Sequence, residues 1–342
     1  MRRQNIPLVT SGLVLGLLGL GNLLKDISLV LTAICGILAI LIWLHLLQSM
    51  FYNFNHVKDQ LNSPLISSVF TTFFMSGFLG TTYLNTFFSH ITMIQHLITP
   101  LWLLCLTGIV IHMIIFSTKY LKGFSLENVY PSWTVLYIGI AIAGLTAPVS
   151  GYFLIGQLTV IYGFVATCIV LPIVFKRLKA YPLQTAIKPN TSTICAPFSL
   201  VAAAYVLAFP KAHVFVVILF LILSQVFYFY IVFQLPKLLR EPFSPVFSAF
   251  TFPLVISATA LKNSMPILIF PEIWNGLLIF EMVLATVIVL RVFFGYVHLF
   301  LKPVEKQDIH ILILNKNNPL TIAVKGFVLF KILFPFDCAW GF

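Results

Sequence analysis

Runs of about 20 apolar residues, the length a helix needs to cross a bilayer, recur ten times along the chain. They cover approximately Pro7 to Leu24, Ile27 to Met50, Leu65 to Leu84, Ile91 to Ser117, Ser132 to Pro148, Phe153 to Phe175, Ser192 to Phe209, Val214 to Leu235, Phe243 to Leu261 and Ile273 to Val297. Each predicts a spanning helix. The runs are of two kinds in alternation. Odd runs are short and rich in small or hydroxyl-bearing residues: TSGLVLGLLGLGN with Gly12 and Gly16, SSVFTTFFMSGFLGTT with Thr71, Thr72 and Phe74, SWTVLYIGIAIAG, TSTICAPFSLVAAAYV, and FSAFTFPLVISATA. Even runs are longer and more uniformly apolar, as in LVLTAICGILAILIWLHLL and VFVVILFLILSQVFYFYIVF. Small residues let helix backbones approach closely in a membrane, and hydroxyls hydrogen-bond between helices. The odd helices are therefore expected to face protein and the even ones lipid. Short loops join each odd helix to the next even one. The predicted fold is all-α and integral to the membrane: ten helices as five hairpins, an inner ring of odd helices around a central axis and an outer ring of even ones.

Composition agrees with that class. Of 342 residues, 60% are hydrophobic and only 8% charged, against about 25% charged in soluble domains. Basic loops tend to remain cytoplasmic. With the N-terminus inside, eleven basic residues, from Arg2 and Arg3 to Lys237 and Arg240, fall on the inner side up to the ninth run, and only Lys25, Lys211 and Lys262 on the outer side. This predicts a multi-pass protein of the plasma (inner) membrane with both termini cytoplasmic and a retained first helix. The net charge of +11 is scattered through short loops, so it speaks for topology and not for nucleic acid. The five cysteines show no pairing logic, and His45, His96 and His112 have no second ligand at metal-type spacing. Neither a G-x-x-x-x-G-K-[ST] loop nor an H-E-x-x-H motif occurs. No cofactor, metal or enzymatic chemistry is expected.

Two further features stand out. Pro7, Pro64, Pro131, Pro197 and Pro253 recur at intervals of 57, 67, 66 and 56 residues, close to one hairpin. The first three lie near predicted helix starts; Pro197 and Pro253 fall inside their runs and predict kinks. Glu281, in GLLIFEMVLATV, is the one carboxylate well inside a predicted span. An intramembrane acid is a functional candidate, here for proton coupling, and its place on an even helix gives the alternative of a subunit contact or the outer interface.

Several motifs together resemble the tellurite-resistance/dicarboxylate transporter family, the TehA-like proteins that include plant guard-cell slow anion channels of the voltage-dependent anion channel type. They are Thr251-Phe252-Pro253 in the ninth run, Pro131-Ser132-Trp133 with Gly139 in the fifth, SPLISSVFTTFFMSG in the third and Ala196-Pro197 in the seventh. The resemblance covers about residues 6 to 302 and implies a homotrimer whose subunits conduct separately, each through a pore lined by five inner helices. It implies that Phe252 projects into that pore and occludes it. Thr251, Pro253, Pro197, Pro131, Ser132, Gly139, Thr71, Thr72, Phe74, Gly12 and Gly16 are then candidate kink or lining positions. The implied function is passage of small inorganic or organic anions, with a proton-coupled four-carbon dicarboxylate or sulfite carrier as the alternative and a non-transporting membrane scaffold as a second one. Residues 1–302 form the expected transmembrane domain. The tail, 303–342, has apolar pieces too short to span.

Overall fold

The computed structural model describes residues 6–268 and 271–301. Every regular element among them is helical: α1 (Ser11–Leu24), α2 (Leu29–Tyr52), α3 (Phe54–Leu61), α4 (Pro64–Phe88), α5 (Thr92–Tyr120), α6 (Trp133–Ile138), α7 (Ile142–Leu145), α8 (Ala147–Ser150), α9 (Phe153–Ala180), α10 (Ala196–Ala208), α11 (Val214–Leu238), α12 (Thr251–Ser264) and α13 (Pro271–Leu301). Eight helical segments are long and apolar enough to cross a membrane, and two shorter apolar ones, Leu8–Leu24 and Trp133–Leu145, occupy the first and fifth predicted positions. The tail lies outside the described residues.

Burial separates the two kinds of helix. The most apolar windows of α4, of Thr185–Ala208 and of Pro245–Ile267 are 67%, 83% and 78% buried, whereas those of α2, α5 and α13 are 17%, 17% and 28% buried. Lipid-facing helices can present apolar side chains all round, so their sequences carry little amphipathic signal. The inner segments pack in a closed order: α1 against α4, α4 against α6, α6 and α7 against α10, α10 against α12, and α12 back against α1. Each outer helix covers the inner segment before it, as α2 covers α1 and α5 covers α4.

Three local features depart from the sequence reading. First, Pro197 and Pro253 do not kink continuous α-helices. The seventh and ninth segments begin as 3-10 helices, Thr185–Cys195 and Pro245–Phe250, and the prolines occupy the first turn of α10 and α12 that follow. A first-turn N–H has no partner within its α-helix, so proline is tolerated there. Second, the fifth segment is interrupted. A 3-10 turn at Gly139–Ala141 separates α6 from α7, and α8 ends at Gly151, whose φ of 79° is left-handed. Third, the loop after α2 contains the short helix α3, which buries Val57 and whose Gln60 Oε1 accepts a 2.9 Å hydrogen bond from Leu8 N, tying down the start of the first inner segment.

Candidate functional site

The beginnings of the five inner segments are joined side to side by hydrogen bonds that close into a circle. Ser11 and Thr72 hydroxyls meet at 2.7 Å, linking α1 to α4; Ser68 and Ser132 hydroxyls, also at 2.7 Å, link α4 to the start of the fifth segment. Ser132 N donates to Asn190 Oδ1 at 3.0 Å and Thr134 Oγ1 to Thr193 O at 3.2 Å, reaching the seventh segment. Ser192 Oγ donates to Ala249 O at 2.6 Å, reaching the ninth. The circle closes where Ser248 Oγ donates to Val9 O at 2.8 Å and Thr251 Oγ1 to Gly12 O at 3.0 Å. Many of these hydroxyls also bond a carbonyl one turn earlier, such as Ser192 to Pro189 O and Thr251 to Ser248 O, the local pattern common for Ser and Thr in helices. Here one hydroxyl serves both purposes.

The prolines belong to this arrangement. A proline removes the N–H that would bond the carbonyl four residues back. For Pro197 that carbonyl is Thr193 O and for Pro253 it is Ala249 O, and both accept hydroxyl bonds from the neighbouring inner segment. Two Gly positions of α1 allow the last joint. A Cβ on Gly16 would stand 2.3 Å from Thr251 Cβ and Oγ1, and one on Gly12 would stand 3.1 Å from Ser248 Oγ. Gly12 thus faces the 3-10 segment Pro245–Phe250 and Gly16 faces α12, both as close-contact positions. Gly139 likewise admits Met75 Sδ and lies against Thr71 Cγ2.

Thr251 is wholly buried and bonded to α1; the next residue, Phe252, is 5% exposed. Its ring runs beside Gly19 of α1, where Val255 and Leu79 of α4 also converge. Phe250 points elsewhere: it is fully buried and packs edge-on to Phe247 at 5.3 Å. Phe74 departs from the expected lining. It packs on Gly108 and the ring of His112, so it sits on the face of α4 turned to α5, its outer neighbour. A helix in a membrane protein can carry phenylalanines on both faces, and the repeat of the sequence does not separate them. His112 itself is buried, with Nε2 2.8 Å from Ser67 O. Asn190, also wholly buried, joins two segments and is a site residue that the apolar pattern does not single out; an amide just ahead of an apolar run, in KPNTST, is the signal the sequence carries for it.

No Asp, Glu, Lys or Arg lies on the inner segments between their ends. Lys188, near the start of the seventh, pairs with Glu241 at 2.7 Å; Lys262, near the far end of α12, pairs with Asp26 at 2.8 Å and bonds Leu23 O. That neighbour holds the Asp26 carboxyl below its ordinary range through the hydrogen bond and the charge of Lys262. Among the described residues no group of three or more His, Cys, Asp and Glu could hold a metal ion. Glu281 is wholly buried within the chain, so it lies neither on the lipid face nor at a subunit contact; its carboxyl lies beside Ser257 and Gln225.

The five inner segments all run in one direction, so their dipoles place partial positive charge at the end where they begin. Lys58 of α3 and the last-turn residues Lys119 of α5 and Lys179 of α9 lie at that end. Sequence comparison matches residues 5–297 to the voltage-dependent anion channel family. The chain belongs to that family. No curated protein matches it. Membership makes it a membrane anion channel or transporter, a class distinct from enzymes, and agrees with the all-α membrane architecture.

Proposed function

We propose that the protein is a passive pathway for small monovalent anions, running along the axis enclosed by the five inner segments and occluded by Phe252. The observation that carries this reading is the closed circle of hydroxyl and carbonyl bonds around a wall without charged side chains. A wall of that kind binds an ion weakly, which favours its release and leaves selection to size and ease of dehydration. Sign is chosen at the mouth, where the dipole ends and basic residues raise the local concentration of anions.

In this reading Thr251 fixes the backbone from which Phe252 projects, Pro253 and Pro197 withhold one N–H from the carbonyls that join the circle, and Ser132 and Thr72 complete it. Both termini lie in the cytoplasm of a cell whose plasma membrane holds the protein, with the segment starts forming the inner mouth. Three subunits assemble with one pathway each. Chloride and nitrate flux in liposomes tests the proposal. A channel releases the anion down its gradient without a proton requirement. A dicarboxylate or sulfite carrier accumulates its substrate only when a pH gradient is imposed, and a scaffold does neither; either of the latter results rejects the proposal.

A further inference from the structure

Outside the circle, between the ninth segment and its outer neighbours, lies a cluster of polar side chains of a kind rarely left in a membrane interior. Glu281 of α13, Ser257 of α12 and Tyr228 of α11 are all 0% exposed. Both oxygens of Glu281, both amide atoms of Gln225 on α11, Tyr228 Oη and Ser257 Oγ are buried without meeting hydrogen-bond geometry. Gln225 and Ser257 nevertheless adjoin the carboxyl, and Tyr228 and Cys195 lie near enough to feel its charge. Six polar atoms from three helices are thus gathered at one buried carboxyl without a hydrogen bond of ordinary geometry. Buried polar groups left unpaired are costly.

Among the described residues no cation is paired with Glu281. α1 carries no titratable side chain, and neither do the 3-10 segments Pro245–Phe250 and Met265–Ile267. On α12 the one candidate, Lys262, is taken by Asp26 and Leu23 O. Lys237 is in the last turn of α11, and Glu272, Arg291 and His298 lie towards the ends of α13. Among the described residues, Cys195 and Tyr228 are the titratable groups near enough to feel the charge of the carboxyl.

The cluster is coupled to the proposed gate by position. Ser257 follows Phe252 by five residues, about 7.5 Å along α12 and about 140° round it, so the serine faces the outer helices when the phenylalanine faces the axis. Cys195 Sγ also donates to Pro253 O at 3.4 Å, adjacent to Phe252.

We propose that Glu281, with Gln225, Tyr228 and Ser257, forms a buried proton-binding site whose occupancy sets the position of α12 and thereby of Phe252. With its proton, the carboxyl has one O–H to donate, to Ser257 Oγ or Gln225 Oε1. When the O–H bond breaks and the proton passes to water, the carboxylate accepts only. It then draws in the Ser257 and Tyr228 hydroxyls and the Gln225 amide through shorter, charge-assisted bonds. Ser257 moves outward, and Phe252 is withdrawn from the axis. This rests on Phe252 being the gate, and it regulates flux without transporting a proton with each anion.

The test is chloride efflux from liposomes holding the full chain, compared at mildly acidic and mildly alkaline pH for the parent, Glu281→Gln and Phe252→Ala, together with infrared difference spectra of the first two. Parent efflux should rise about 10-fold with pH, the scale of one hydrogen bond to a charged group in a two-state equilibrium. Glu281→Gln, which keeps the shape but cannot ionise, should show no such rise. The parent spectrum should lose a protonated carboxylic acid band on alkalinisation, and the variant should lack that band. A pH-insensitive parent, a variant that keeps the pH response, or a carboxylic acid band unchanged by Glu281→Gln overturns the proposal. Absence of flux even from Phe252→Ala rejects the anion pathway itself; flux that ignores Glu281 rejects only the proton site.

Discussion

Gly16→Ala places a methyl group 2.3 Å from Thr251 Cβ and Oγ1 and 3.3 Å from Phe252 N. Ordinary contact begins near 3.4 Å, so α1 and α12 must part by roughly 1 Å, because neither a helix backbone nor a buried β-branched side chain yields easily. That displacement stretches the 3.0 Å bond from Thr251 Oγ1 to Gly12 O beyond hydrogen-bond range. Overpacking costs about 1–3 kcal/mol and the lost bond about 0.5–1.5 kcal/mol, so the variant should lose about 2–4 kcal/mol of stability. Reversible unfolding in mixed micelles measures the loss, and a double-mutant cycle with Thr251→Gly locates it. In that background the obstructing Cβ and the hydroxyl are both gone, and Gly16→Ala should cost less than about 1 kcal/mol. Because the clash reaches Phe252 N, Gly16→Ala should also alter anion flux. A variant within about 0.5 kcal/mol of the parent, the range of an indifferent substitution, or an equal cost in the Thr251→Gly background, would refute the packing argument.

Other outcomes follow from the same contacts. Ser192→Ala removes the hydroxyl that bonds both Pro189 O and Ala249 O, and should cost about 1–3 kcal/mol because a buried carbonyl loses its partner; Ser192→Thr, which restores a hydroxyl, should recover part of it in the same unfolding assay. Asp26 is lowered from an ordinary 3.8 by Lys262, so its contribution is complete above that value and is lost as pH falls through the lower folded-state value. With Asp26 73% exposed, the contribution is under about 1 kcal/mol, and Lys262→Met should flatten the acid limb of the stability profile while high salt reduces the difference.

The alternation of inner and outer helices was legible in the sequence because lipid tolerates uniform apolarity, while close helix contacts demand small residues and hydroxyls. Gly12, Gly16 and Thr251 illustrate it: residues that look like a pore lining are the contact that lets α1 and α12 touch. The family was legible in Thr251-Phe252-Pro253 and Pro131-Ser132-Trp133. Helix type was not. A proline fixes φ but does not reveal whether the turn before it is 3-10 or α, so Pro197 and Pro253 read as interior kinks when they stand at the start of α segments. Phe74 shows another limit, since three phenylalanines within five residues of α4 give no indication of which faces inward. Closure of the circle depends on pairs such as Val9 and Ser248, 239 residues apart, which no local pattern encodes.

Chloride efflux from liposomes carrying Phe252→Ala, with Phe250→Ala beside it, tests the central claim most directly. Removal of the ring that lies beside Gly19 should raise efflux well above the parent, whereas removal of the ring packed against Phe247 should not open the pathway. Efflux from Phe252→Ala no higher than from the parent, with protein inserted and folded to the same extent, would contradict the gate.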